Sequence, residues 1–212
     1  MESDKANGML YTEGFVRHWD SWMDGRRSQL MIAALDEDGT LGEPRLLSKG
    51  INGDIPSKPF GDASEYAFSP DGSTIYFSVR NLSAGEPWST NFDIYAVPSD
   101  GSAEPKNLTA SNPAWDAYPL PSRDGKTLYY LAMARPGMES DRFASKAMHL
   151  DTGETREVAG DWDRSAGPLK ESVDGKTLYT TTDDNGQHPL FAISVANGKV
   201  QRIVSGGQVS GF

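Results

Sequence analysis

The three histidines of this 212-residue chain are its side chains that titrate near neutrality at their ordinary pKa, so acid–base or nucleophilic chemistry is sought around them first. His18 lies between Arg17 and Trp19, His149 between Met148 and Leu150, and His188 before Pro189. A hydrolytic triad needs a nucleophile held by a histidine that a carboxylate orients. In one large class the serine sits in G-x-S-x-G on a strand-to-helix turn. No such pattern occurs: Gly207-Gln208-Val209-Ser210-Gly211 puts its serine one place late, in a Gly-rich tail with no helical pattern behind it. His149 reads as a strand residue and His188 as the exposed neighbour of a hairpin. His18 belongs either to a polar cluster that fixes the entry of the first repeat or to a site. No catalytic residue is assigned.

Other chemistries fail on spacing. Gly125-Lys126-Thr127 and Gly175-Lys176-Thr177 imitate the end of a P-loop, but the motif's first glycine is replaced by Leu120 and Lys170. Asp36-Glu37-Asp38-Gly39 and Asp183-Asp184-Asn185-Gly186 imitate calcium loops. The twelfth position counted from Asp36 is Leu47, so both read as turns. There is no cysteine, which removes disulfides, thiolate catalysis and Cys-based zinc sites. No metal and no cofactor is expected. A net charge of −10 argues against nucleic acid and against an anionic membrane surface. Met1-Glu2-Ser3-Asp4-Lys5 has neither the basic nor the apolar part of a leader, and no apolar run nears the ~18 residues that span a bilayer. The expectation is a soluble chain, in cytoplasm or periplasm.

The elements that must position any site are set by a phrase repeated three times: Ser69-Pro70-Asp71-Gly72-Ser73-Thr74-Ile75-Tyr76-Phe77, Ser122-Arg123-Asp124-Gly125-Lys126-Thr127-Leu128-Tyr129-Tyr130 and Ser172-Val173-Asp174-Gly175-Lys176-Thr177-Leu178-Tyr179-Thr180. The Asp-Gly pairs lie 53 and then 50 residues apart, the mark of a repeat architecture. Each Asp-Gly turns a hairpin, because Gly accepts the left-handed position that a tight turn needs. In the first copy, strands are predicted at 65–68, 74–79, 92–97 and 105–109, the inner ones β-branched and aromatic. The second copy repeats the order with strands at 127–133, 146–150 and 155–158. The third has 176–181, 190–195 and 200–204, with Asn197-Gly198 as a two-residue hairpin signal. An incomplete copy precedes them, with strands at 28–35 and 44–47. No amphipathic helix longer than two turns is predicted.

Four antiparallel strands per repeat of this length make a propeller blade. The fold expected is all-β, a partial β-propeller of four-stranded antiparallel blades. It comprises a lead-in at 1–14, a half blade at 15–50, three full blades at 60–109, 115–159 and 162–204, and the start of a next blade or a linker at 205–212. A β-sandwich is the competing arrangement, and the fixed repeat favours the propeller. Trp115-Asp116 and Trp162-Asp163 precede the first strands of their blades, so these tryptophans are expected to pack between blades.

The S-x-D-G-x-T copies, each followed by a strand of the Asp93-Ile94-Tyr95-Ala96-Val97 kind, resemble the propeller repeat of TolB-type proteins and of prolyl oligopeptidase family (S9) serine peptidases. Phe15-Val16-Arg17-His18-Trp19-Asp20-Ser21-Trp22 with Gly25-Arg26-Arg27-Ser28 resembles the propeller opening of the dipeptidyl aminopeptidase and acylaminoacyl-peptidase branch. Trp88-Ser89-Thr90-Asn91-Phe92-Asp93-Ile94-Tyr95 resembles the middle of that branch's next blade. The resemblance implies a propeller that gates and positions short peptides for a C-terminal α/β-hydrolase domain. This sequence lacks that domain, and the chain is expected to be inactive alone. The alternative is a stand-alone TolB-type propeller that binds a protein partner. Within the resemblance, Arg17, His18, Trp19 and Asp20 read as structural.

Binding is expected in loops, since blade strands are scaffold. Two connections exceed what a hairpin needs: 80–91, with Arg80, Glu86 and Trp88, and 134–145, with Arg135 and Arg142. Both leave the same face, and Glu86, Arg135 and Arg142 are the residues expected to hold peptide termini by charge. Solvated loop charges are the competing reading. An incomplete ring leaves open strand edges, so self-association is also expected.

Overall fold

The computed structural model describes residues 8–12, 16–18 and 20–212. Phe15 and Trp19 of the Arg-His-Trp-Asp stretch lie outside them. The short strands β1 (Arg17–His18) and β2 (Ser21–Trp22) form a small hairpin. A second pair, β3 (Met31–Ile32) and β4 (Arg45–Leu46), makes the half blade. The first blade runs in order through β5 (Tyr66–Phe68), β6 (Thr74–Val79), β7 (Asp93–Pro98) and β8 (Lys106–Asn107). The second contains β9 (Asp116–Pro121), β10 (Thr127–Ala132), β11 (Ala144–His149) and β12 (Thr155–Glu157). The third contains β13 (Lys170–Glu171), β14 (Thr177–Thr181), β15 (Leu190–Ser194) and β16 (Val200–Val204). Every pairing within these sheets is an antiparallel meander between sequence neighbours. The chain is thus all-β, an arc of a β-propeller. Two short 3-10 turns, Ala63–Glu65 and Ser83–Trp88, are the helical segments among the described residues.

The repeated phrase is explained by its turn. Ser122 Oγ donates to Asp124 Oδ1 at 2.6 Å and accepts the Thr127 amide at 2.9 Å, while Asp124 Oδ1 also takes the Lys126 amide at 3.0 Å. Ser69 and Ser172 make the same two contacts with Asp71 and Thr74, and with Asp174 and Thr177. Gly72, Gly125 and Gly175 hold φ of 72°, 69° and 70°, a region that L side chains avoid. Hydrogen bonds from Ser69, and then from Ser73, pull the exposed Asp71 carboxyl down to about 2.

The cores lie between blades. In β6, Ile75, Phe77 and Val79 pack against Leu30 and Leu47 of the half blade and Ile55 of the connection that follows it. Tyr76 on the opposite face meets Leu128, Tyr130 and Met148 of the second blade. In β10 the alternation repeats: Tyr129 and Leu131 turn to Leu178 and Ile193 of the third blade. Inner strands are therefore buried on both faces, which is why they read as continuous apolar runs rather than as an alternation. Each fully buried side chain such as Phe77 or Leu131 contributes about 1.5–3 kcal/mol. The tryptophans seal the seams as expected. Trp115 stacks on Phe92 of the first blade at 4.7 Å and meets Phe143 of the second edge-on at 5.7 Å. Trp162 lies 5.1 Å from Phe191.

Further details refine the sequence reading. Residues 28–35 form a strand only at Met31–Ile32, with one further bridge from Leu35 to Leu41. Glu65 falls in a 3-10 turn ahead of β5, where its carboxylate takes the Ser57 amide at 2.7 Å and the Ser57 hydroxyl at 2.6 Å. In β9 the register shifts around Tyr118, which adopts φ 56°; such a bulge bends an inner strand. The segment after β16 runs back across the third blade. His188 and Gln208 form a parallel bridge, and the Lys170 ammonium sits 4.8 Å from the Phe212 ring centroid.

Candidate functional site

The connections β6–β7 and β10–β11 leave corresponding ends of adjacent blades, and they touch. The Gly137 amide donates to Thr90 Oγ1 at 2.9 Å. This places Arg80, Glu86, Trp88, Arg135 and Arg142 on one face, but their charges are engaged within the fold. Glu86 is only 6% exposed. Arg27 donates to it through both Nη1 and Nη2, with Nη1–Oε1 at 3.2 Å, and Arg80 Nη2 stands 3.6 Å away. Arg27 also bonds Asp54 at 3.0 Å, and Asp54 takes the Ser28 amide at 2.6 Å and Lys58 at 3.1 Å. The network ties the half blade to the first blade. Burial works against the charge on Arg27, yet its bonds to Glu86 and Asp54 raise its pKa. Burial dominates at Arg80 and lowers it.

Arg135 and Arg142 are likewise committed. Asp141 takes the amides of Ala134 and Arg135 at 2.9 and 2.8 Å and Arg135 Nε at 2.9 Å, closing the β10–β11 loop on itself. Those bonds, led by the Arg135 side chain, hold Asp141 well below the usual carboxylate range. Arg142 spans to the Trp162 carbonyl and to Glu157 Oε1, both at 2.9 Å, and Lys146 Nζ donates to Glu157 Oε2 at 3.1 Å. Trp88 is the exception among the five: its indole is 86% exposed beside this rigid surround. Arg17 and His18 form β1 and Asp20 is exposed in the turn after it. His149 is exposed at the end of β11, and His188 Nδ1 pairs with Asp183 at 2.9 Å.

Below the β10–β11 loop a cleft of about 600 Å³ opens along the seam between the first and second blades. Asp116, Ala132 and Ala144 form one cross-strand row in it, and Tyr130 and Lys146 with Glu157 form the next. Asp116 is 1% exposed. Its Oδ1 accepts from Asn112 Nδ2 at 2.9 Å, while Oδ2 meets no hydrogen-bond donor. Burial, opposed by Asn112, the Thr109 hydroxyl and Lys146 and helped by the Asp93 carboxylate, pushes Asp116 up to about 7. Burial and then Asp116 push Tyr130 up to about 12. Sequence reasoning passed over Asp116 as the second half of a Trp-Asp pair. The available signal was a carboxyl opening an inner strand that should be buried on both faces. Arg27 and Asp54 were also missed, since Arg27 meets Asp54 27 residues on and Glu86 59 residues on. No group of three or more His, Asp or Glu side chains able to hold a metal occurs among the described residues.

No family model matches the chain. It is 32% identical over 227 residues to the probable dipeptidyl-peptidase 5 of Arthroderma benhamiae, an alignment that takes in 98% of this chain and 31% of that protein. The chain thus spans about a third of the length of that relative. Among solved structures, puromycin hydrolase superposes with a TM-score of 0.59 at 18% identity, over 84% of this chain and 27% of that one. The putative TolB of Agrobacterium tumefaciens superposes with a TM-score of 0.56 at 20% identity, over 84% of this chain and 63% of that one.

Proposed function

From the premise that this chain is a propeller-type domain of the S9 peptidase kind, we propose that it gates and positions short peptides for an α/β-hydrolase domain of the same polypeptide. Trp88 carries this reading. A large aromatic is left in solvent on a loop whose own charges, Arg80 and Glu86, are internally engaged and whose backbone region is pinned to the next blade. Such a side chain offers contact area without ordering cost, which suits it to meet a peptide or the hydrolase surface. The Glu86 network then keeps the loop rigid rather than holding a peptide terminus. Likeness to a dipeptidyl-peptidase 5 over nearly the whole chain supports the same reading.

Two experiments test it. Sequencing the source gene beyond the Phe212 codon should extend the frame into a G-x-S-x-G segment. In the protein so encoded, Trp88→Ala removes about 1–2 kcal/mol of contact, raising KM for a chromogenic dipeptide amide roughly 5- to 30-fold at unchanged kcat. Unchanged kinetics would refute the role of Trp88. A frame that stops without a nucleophile motif would instead favour the TolB-type protein-binding module, which the superposition on 63% of a TolB chain recommends.

A further inference from the structure

The seam cleft holds a carboxyl oxygen that the fold does not use. Its other charges are matched in place: Glu157 is held by Arg142 and Lys146, and Asp141 by Arg135. Asp116 Oδ2 is the unmatched acceptor among the described lining residues. The space beside it follows from the register. Where the neighbouring row carries Tyr130, Lys146 and Glu157, the Asp116 row continues with two methyl groups, Ala132 and Ala144. Leu108, Tyr130 and Met148 supply apolar wall, and the volume is in the range of small-ligand sites. A buried carboxylate is stable only when paired. Its complement is therefore a cationic donor on an apolar stem.

We propose that this cleft binds a small molecule bearing a protonated amine, the Asp116 side chain turning its buried Oδ2 to the cleft to accept from the ammonium, and the stem lying against Tyr130, Ala132 and Met148. The site does not depend on the peptidase reading. The groups that face Asp116 are Asp93 and the Thr109 hydroxyl from the first blade, Asn112 from the connection, and Tyr130 and Lys146 from its own sheet. An empty Asp116 near its midpoint at neutral pH gives up its proton when the ammonium binds, so affinity follows the ionised fraction. That fraction rises about tenfold from pH 6 to pH 8 for a carboxyl titrating at about 7, while an alkylamine stays charged.

Isothermal titration of the chain with n-hexylamine and, separately, 1-hexanol tests this. The expected result is saturable amine binding that tightens about tenfold from pH 6 to pH 8. Binding of 1-hexanol is expected to be at least an order of magnitude weaker. Asp116→Asn should abolish the preference for amine over alcohol. Ala132→Leu, which fills the row, should weaken both probes while leaving a cooperative melt that shows the variant folded. Equal affinity for the two probes, an Asp116→Asn variant that still prefers the amine, or no saturable heat at millimolar amine would each overturn the proposal.

Discussion

Asp116→Asn should stabilise the protein at alkaline pH and not at acid pH. In the folded state the carboxyl titrates at about 7 against 3.8 for the ordinary group, with burial as the main cause. Between those values the folded state keeps a proton that the unfolded chain has lost. Stability therefore falls as pH rises through that window: the cost is absent below about 4 and complete above about 7. About three pKa units at 1.36 kcal/mol each makes the full cost about 4 kcal/mol. Asparagine imitates the neutral acid and keeps an oxygen for the Asn112 amide. Its NH₂ faces the position where Oδ2 had no partner, which costs about 1 kcal/mol. The variant should match the wild type within about 1 kcal/mol at pH 5 and exceed it by about 3 kcal/mol at pH 8. Urea unfolding followed by tryptophan fluorescence at the two pH values measures this. An offset of the same size at both pH values would refute the buried-acid argument.

Three further outcomes are expected. Gly198→Ala builds a Cβ 2.1 Å from the Val158 carbonyl oxygen at a φ of +70°, so the third-blade hairpin must lift off the second blade; a loss of about 2–4 kcal/mol in denaturant unfolding is expected, and a loss under about 0.5 kcal/mol would contradict the contact. Glu86→Ala strips Arg27 and Arg80 of a shared buried carboxylate and should cost about 3–5 kcal/mol by the same assay, whereas a near-neutral result would show the network to be solvated. The outer strand β16 leaves Ile203 48% and Val204 40% exposed on a free edge, so sedimentation should show concentration-dependent association that Ile203→Lys reduces, and a sharp monomer throughout would exclude it.

What could be read from the sequence was what is local. The Ser-x-Asp-Gly-x-Thr turns specify themselves within six residues, and with their strands they fixed β6 and β16 to the residue and the four-stranded plan of each blade. Outer strands other than β16 came out shorter than expected. They have a neighbour on one side only, and a proline such as Pro105 withholds a donor, so the fourth strand of the first blade forms at Lys106–Asn107 alone. The site charges were less legible for the same reason in reverse. Glu86 resembled a free loop carboxylate because its partners Arg27 and Arg80 arrive through the fold, one of them 59 residues away. The row that sets Asp116 beside two alanines depends on pairing across three strands and on the bulge at Tyr118, neither of which leaves a mark in the linear pattern.

Because every core is shared by two blades, the energetic unit of this protein is the seam and not the sheet. Such an array behaves as a row of coupled neighbours, in which removing one member uncovers apolar surface on the members either side. A lesion in β10, whose Tyr130 and Leu131 serve different seams, is felt in both directions at once. Sequence drift in a lineage should accordingly couple residues of successive repeats more tightly than residues on opposite faces of one sheet.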